Sequence, residues 1–253
     1  MHTAVEQITS EAQTHLEWRY LQTRHRLTGN THTNTVAGVS ATFYTETFRE
    51  YLRARDYQNE SFLIHRLLDE VEPADVFWDI GANIGTHSCY VGQRVADVIS
   101  IEPHPWTALR LVENCRMNDI DATVLETALS NESGTTELCI PDRFDDELGV
   151  GTFTTRDHDD ANTVCSAPVT TGDSALIEHD LPRPTVMKID VEGAEYDVLR
   201  GFETALESCR AIFCEVHERY VDSEPIVDLL TSNGYTVKLL RTRSRETHLV
   251  ARK

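Results

Sequence analysis

Lysine is nearly missing from this chain: Lys188, Lys238 and Lys253 are the only three in 253 residues. The remaining bases are arginines, and 42 acids face 23 lysines and arginines for a formal charge of −19. A field of that sign repels phosphate backbones and argues against a general role in binding nucleic acid. A carboxylate-rich, lysine-poor surface also stays hydrated in concentrated salt, which screens its self-repulsion, so a salt-loving archaeal source is expected. Long apolar runs are absent too. No stretch approaches the roughly 18 apolar residues of a membrane span. The opening MHTAVEQITSEAQTHLEW has no charged segment followed by an apolar one, so no signal peptide and a cytoplasmic location are expected. Cysteines occur at 89, 115, 139, 165, 209 and 214, with no Cys-x-x-Cys pair and no zinc-ligand spacing. They read as buried apolar fillers, and no metal ligand set is assigned.

What is present fits one α/β domain, residues 59–253, behind an N-terminal extension, residues 1–58. In the extension a helix is expected from Ser10 to Leu27, stopped by Gly29-Asn30. A Thr/Asn-rich loop follows through Thr35, and Val36 to Thr45 alternates as a half-buried strand or hairpin does. Asn59 or Ser61 would cap a helix striped by Phe62, Ile64, Leu67, Leu68 and Val71. Beyond Pro73 short apolar runs alternate with helices, the mark of a parallel sheet. Strands are expected at 76–78, 98–101, 122–125, 185–189 and 211–216, with helices at 86–95, 107–117, 195–205 and 225–232. Extra strands at 135–140 and 164–170 flank a polar segment, 142–162. The runs 235–240 and 248–251 read as an antiparallel pair.

Four stretches carry chemistry. In Trp78-Asp79-Ile80-Gly81-Ala82-Asn83-Ile84-Gly85 a buried strand ends in an acid and a glycine-containing turn. Such a turn lets a ligand approach the backbone, with helix N–H groups behind it. A dinucleotide or S-adenosylmethionine would suit that crevice at the carboxyl ends of the strands. The dinucleotide fingerprint G-x-G-x-x-G needs glycines at 81, 83 and 86; Asn83 and Thr86 stand there instead, so it fails. Asp79 would then receive the methionine ammonium or order water around it. Glu102, at the end of the second strand and before Pro103, suits the ribose hydroxyls of either cofactor.

The third stretch, Met187 to Gly201, stops a core strand at Asp190 and adds Glu192, Glu195 and Asp197. Acids crowded at a strand end need a cation, a shared proton or water. A sulfonium, a substrate ammonium, a metal or a general-base role would each account for Asp190 and Glu192. Glu195 suits the positive N-terminus of the next helix. In the fourth, Glu215-Val216-His217, the period of two puts Glu215 and His217 on one side. There His217 is either a general base or a structural histidine.

Taken in order, these stretches resemble the FkbM family of S-adenosylmethionine-dependent methyltransferases. The matching segments are FWDIGANIGTHS (77–88), ISIEPHP (99–105), VTTGDS (169–174), MKIDVEGAEYDVLRG (187–201) and CEVH (214–217). The resemblance implies a class I methyltransferase (Rossmann-like) fold: a seven-stranded, mostly parallel sheet with an antiparallel last strand and helices on both faces. It implies methyl transfer from S-adenosyl-L-methionine to an oxygen of a sugar or other small metabolite. By the same resemblance Asp79, Gly81, Ala82, Asn83 and Gly85 would line the methionine end of the cofactor. Glu102 and Pro103 would hold the ribose, Thr127, Ala128 and Leu129 would flank adenine, and Asp190 and Glu192 would sit by the transferred methyl. Gly172 departs from the family, which usually carries an apolar residue before Asp173, and residues 1–58 match little.

Methyl transfer is an in-line displacement that holds donor and acceptor oxygen about 3 Å apart. A hydroxyl acceptor gains from a base, for which His217, Glu192 and Asp190 are candidates. A carboxylate acceptor needs none and would favour basic residues nearby, of which Arg143, Arg156 and Arg183 are candidates. The expected acceptor is a hexose or hexuronic acid of a surface glycan or its lipid-linked precursor. The rival reading is an NAD-dependent oxidoreductase or epimerase, opposed by the failed fingerprint and the terminal strand pair. A silent binding module would have lost the loop acids, and all remain.

Overall fold

The computed structural model describes residues 18–56, 60–141, 161–243 and 246–253. Of the helix expected from Ser10, residues 18–27 are described and helical (α1); the rest lies outside the described residues. A hairpin follows, β1 (Thr31–Val36) and β2 (Val39–Tyr44), turning at Ala37-Gly38 with φ of 50° and 78°. Positive φ at both central residues is what a two-residue hairpin turn demands. The Thr/Asn run expected as loop is therefore β1. Its exposed threonines bond across the pair, Thr33 to Thr42 and Thr35 to Ser40, both at 2.8 Å.

Helix α2 (Phe48–Ala54) has no counterpart in the sequence reading. It starts on a capping box in which the Thr47 hydroxyl accepts from Glu50 N and the Glu50 carboxylate accepts from Thr47 N. In α3 (Ser61–Glu70) the first N–H donates to the Asp56 carboxylate at 2.8 Å. That replaces the expected Ser61 cap, and Asn59 lies outside the described residues.

The elements β3 (Val76–Ile80), α4 (Thr86–Val91), β4 (Asp97–Ile101), α5 (Pro105–Met117) and β5 (Ala122–Leu125) come next. Then β6 (Ala128–Leu129), β7 (Gly134–Pro141) and β8 (Ala161–Thr170) form a three-stranded sheet of order β6-β8-β7. The chain continues through α6 (Gly172–Glu178), β9 (Val186–Ile189), α7 (Glu195–Arg200), a short 3-10 turn (Ala205–Glu207) and β10 (Ala211–His217). It ends with α8 (Ser223–Ser232), β11 (Thr236–Arg243) and β12 (Glu246–Arg252). The main sheet has the order β11-β12-β10-β9-β3-β4-β5, and β12 runs antiparallel to both neighbours while the other pairs are parallel.

Strands buried on both faces explain the unbroken apolar runs. Trp78, Ile80, Ile99 and Met187 pack with residues of α6, α7 and α8; Phe77, Val98, Val186 and Phe213 pack with α3, α4 and α5 on the other side. Val36, Val39, Ala41 and Phe43 of the hairpin join this second cluster, so the N-terminal strands share a core with the sheet. Asn114 of α5 and Asn118, which caps its C-terminus, fix them there. Asn118 accepts from Thr42 N and donates to Thr42 O, both at 2.7 Å. Asn114 accepts from Tyr44 N at 2.9 Å and donates to Ile84 O at 2.8 Å. Gly172, the departure from the family pattern, sits where a Cβ would come within 2.2 Å of the Phe202 ring. Asp173 beside it caps the backbone N–H groups of Thr204 and Ala205. Five of the six cysteines are buried. Among the described residues no helix is long and apolar enough to cross a membrane.

Candidate active site

The turn after β3 is held from behind. Asp79 is fully buried, and one oxygen accepts from Ser88 N at 3.0 Å and from the Ser88 hydroxyl at 2.6 Å. Its other oxygen lies 3.2 Å from Lys188 Nζ, which also donates to Gly81 O at 2.8 Å and lies 3.6 Å from Asp190. Burial pulls the Lys188 ammonium down, but Asp79 and Asp190 outweigh it and leave its pKa above the ordinary value. Ser88 and Lys188 thus hold this carboxylate from behind the loop. The sequence reading assigns Lys188 no site role; its signal there is a rare lysine inside an apolar strand.

The loop itself turns on positive φ at Gly81 (73°), Asn83 (50°) and Gly85 (85°). A Cβ on Gly81 would sit 1.8 Å from the Asp190 carbonyl oxygen, so the second acid stretch presses directly on the first. Gly81 N and Ala82 N both donate to Ile101 O, which ties the loop to the end of β4. Glu102 follows there, buried, accepting from Asn83 N and from His104 N, both at 2.9 Å. Burial pushes its carboxyl up to about 7 despite those two bonds. Pro103 is half-buried, and Thr127 and Ala128 follow β5, with the Thr127 hydroxyl donating to Pro168 O at 3.0 Å. Leu129 is buried in the core cluster that contains Met187. A cleft of about 330 Å³ opens along Ala128, Leu129, Ser130 and Ala194, but Asp79, Glu102, Asp190 and His217 do not line it.

At the ends of β9 and β10 the acids and the histidine converge. His217 Nε2 is 3.4 Å from Glu192 Oε2 and 3.9 Å from Asp190 Oδ1. On the other side of the ring Nδ1 is 2.7 Å from Oε1 of the fully buried Glu195, which also accepts from Gly193 N. Glu192 itself holds a positive φ of 53°. Burial opposes the charge of His217, but Glu195, Glu192 and Asp190 together push its pKa up to about 10. His217 is thus held between Glu195 on one side of its ring and Asp190 and Glu192 on the other. Burial lifts Glu192 to about 8; Asp190, also opposed by burial, is held below the ordinary value by Lys188 and His217. Glu215 stands on the same side, 3.7 Å from His248 Nδ1, and burial pushes it up to about 8.

Of the arginines proposed for an anionic acceptor, Arg143 and Arg156 lie outside the described residues. Arg183 is exposed and donates to Thr204 O at 3.1 Å, ahead of β9 at the end of the sheet opposite the acids. Arg53 of α2 pairs with Glu60 at 2.5 Å and, with Lys188, lowers the pKa values of both Glu102 and Asp190.

Strand order, an antiparallel β12, a glycine turn after β3 and an acid closing β4 define a class I S-adenosylmethionine-dependent methyltransferase. The chain belongs to the FkbM methyltransferase family: the model of the methyltransferase FkbM domain matches residues 79–237. It is 31% identical over 220 residues to the hexuronic acid methyltransferase AglP of Haloferax volcanii, covering 86% of this chain and 87% of that one. It is 28% identical over 215 residues to the 31-O-demethyl-FK506 methyltransferase FkbM of Streptomyces tacrolimicus, covering 74% and 82%. Among solved structures, a precorrin-6y C5,15-methyltransferase from Geobacter metallireducens overlaps with a TM-score of 0.49 at 13% identity, over 76% of this chain and 88% of that one. The oxidoreductase alternative falls with the family assignment. The residues fit the cofactor: Glu102 keeps acceptor capacity beside the loop, and the Thr86 hydroxyl just after it is buried with no hydrogen-bond partner among the described residues.

Proposed function

We propose that this enzyme methylates an oxygen of an acidic sugar, a hexuronic acid of a surface glycan or its lipid-linked precursor, in the cytoplasm. The observation that carries the acidic acceptor is the likeness to a hexuronic acid methyltransferase, over 86% of this chain and 87% of that one.

In this reading Gly81, Ala82, Asn83 and Gly85 line the methionine end of the cofactor, and Asp79 shapes that loop through Ser88 and Lys188. Glu102 and Pro103 hold the ribose, while Thr127 and Ala128 flank the adenine. The bound cofactor supplies an electrophilic methyl on a sulfonium. The protein's task is alignment of the acceptor oxygen, about 3 Å from that methyl. Asp190 and Glu192 border the methyl, with His217 beside them on the acceptor side. Were the acceptor a hydroxyl, ionised Asp190 would take its proton. Arg53 of the N-terminal extension stands on the acceptor side, and the net charge of −19 keeps nucleic acid away.

Extracted glycans and glycolipids incubated with methyl-labelled cofactor should gain label on a uronic acid residue, located by mass spectrometry. S-adenosylhomocysteine binding without label transfer to any acidic sugar would end the acceptor reading and leave the cofactor assignment standing.

A further inference from the structure

Asp190, Glu192 and His217 offer one donor atom each, and these atoms lie within 4.8 Å of one another. Adjacent oxygen ligands of an octahedral Mg²⁺, bound at about 2.1 Å, stand roughly 3 Å apart. Side-chain adjustments of an ångström or so would bring the 3.4 Å and 3.9 Å separations to that spacing. We propose that these three side chains bind a divalent cation of the Mg²⁺ or Mn²⁺ type. That cation would in turn engage two oxygens of the acceptor, a carboxylate and a neighbouring hydroxyl.

The donor set is one imidazole nitrogen and two carboxylates, hard enough for Mg²⁺ or Mn²⁺. Cys214 is on the same strand but packs into the core with Met187 and Ile212, so no thiolate competes. The sequence numbers 190, 192 and 217 match no metal motif; the fold alone brings the residues together.

Glu195 supplies a separate observation. It is fully buried, its Oε1 fixes His217 Nδ1 at 2.7 Å, and its Oε2 has no hydrogen-bond partner among the described residues. A carboxylate that pins the far nitrogen of a histidine is the usual means of orienting a metal ligand. Burying that charge with one oxygen unsatisfied is costly unless positive charge lies close ahead. The Nε2 proton supplies one such charge; a divalent cation that displaces it, releasing the proton to solvent, supplies two. The cation site rests on these four residues alone, whereas its bond to the acceptor rests on the acidic-sugar reading above.

The test is Mn²⁺ binding to chelator-stripped protein, with free ion followed by electron paramagnetic resonance. High KCl screens diffuse binding to the surface acids. One tightly held ion per chain is expected, with affinity falling about 10- to 100-fold in Glu195→Gln, which does not touch the ion. A comparable loss is expected in Glu192→Gln, whose partly exposed side chain makes it the safer variant if Glu195→Gln unfolds. No bound ion, or an affinity unchanged in the folded variants, overturns the proposal. Calorimetry with S-adenosylhomocysteine and the labelled-glycan assay run separately, so failure of the cofactor or acceptor reading is told apart from failure of the cation site.

Discussion

Lys188 and Asp79 are register partners across β9 and β3, and their charged groups meet 3.2 Å apart in the interior of the sheet. The same ammonium holds the Gly81 carbonyl, so one buried ion pair fixes the start of the cofactor loop. Removing one member of a buried pair leaves the other as an unpaired charge. Lys188→Met should therefore destabilise the protein by about 3–5 kcal/mol. Denaturant unfolding reads this directly, and an unchanged midpoint would mean that the pair stabilises nothing.

Gly81→Ala combines a clash with a disfavoured φ. The new Cβ would lie 1.8 Å from the Asp190 carbonyl oxygen, so the loop or the strand end must move. A cost of about 2 kcal/mol or more is expected, with loss of S-adenosylhomocysteine binding. Calorimetry that finds normal affinity in this variant would remove the loop from the cofactor site.

Glu102 gives the binding reaction a pH dependence. Only its ionised form can accept from two ribose hydroxyls while keeping its bonds from Asn83 and His104. With its carboxyl raised to about 7, affinity for S-adenosylhomocysteine should weaken as pH falls through 7. The fold responds in the opposite sense: a raised folded pKa adds stability below the ordinary carboxylate value, and that stability is lost as pH rises through about 7. Glu102→Gln should lower affinity about tenfold or more and flatten the profile. An unaltered profile would assign the titration elsewhere.

The excess of 42 acids over 23 bases predicts salt-dependent stability. Self-repulsion falls as the Debye length shrinks from about 10 Å at 0.1 M salt to about 3 Å at 1 M. The melting temperature should therefore climb with KCl. Equal stability without added salt would contradict the halophilic reading.

The sheet was legible because parallel strands buried on both faces leave unbroken apolar runs, and each ends at an acid or a turn. Asp79, Glu102, Asp190 and His217 could be singled out by that position alone. The hairpin's first strand was missed because β1 is coated with exposed threonines, whose cross-strand bonds appear only once Thr33 meets Thr42. Helix α2 is a seven-residue piece announced only by Thr47 and Glu50, and α6 begins at a glycine. Lys188 was missed because its partner is over a hundred positions away in the chain; nothing local pairs it with Asp79. The protonation of His217 depends likewise on three acids from the preceding strand's exit, converging only in the fold.

Asn114 has committed both ends of its amide, one to the backbone of β2 and the other to Ile84 in the cofactor loop. The parts proposed to face acceptor and donor are thus bolted to a single residue of α5. Any remodelling of the hairpin that shifts β2 will also pull on the loop proposed to hold the methyl donor. A chimera that takes residues 31–54 from a relative must therefore import or preserve Asn114 and Asn118, making hairpin and helix one exchangeable part.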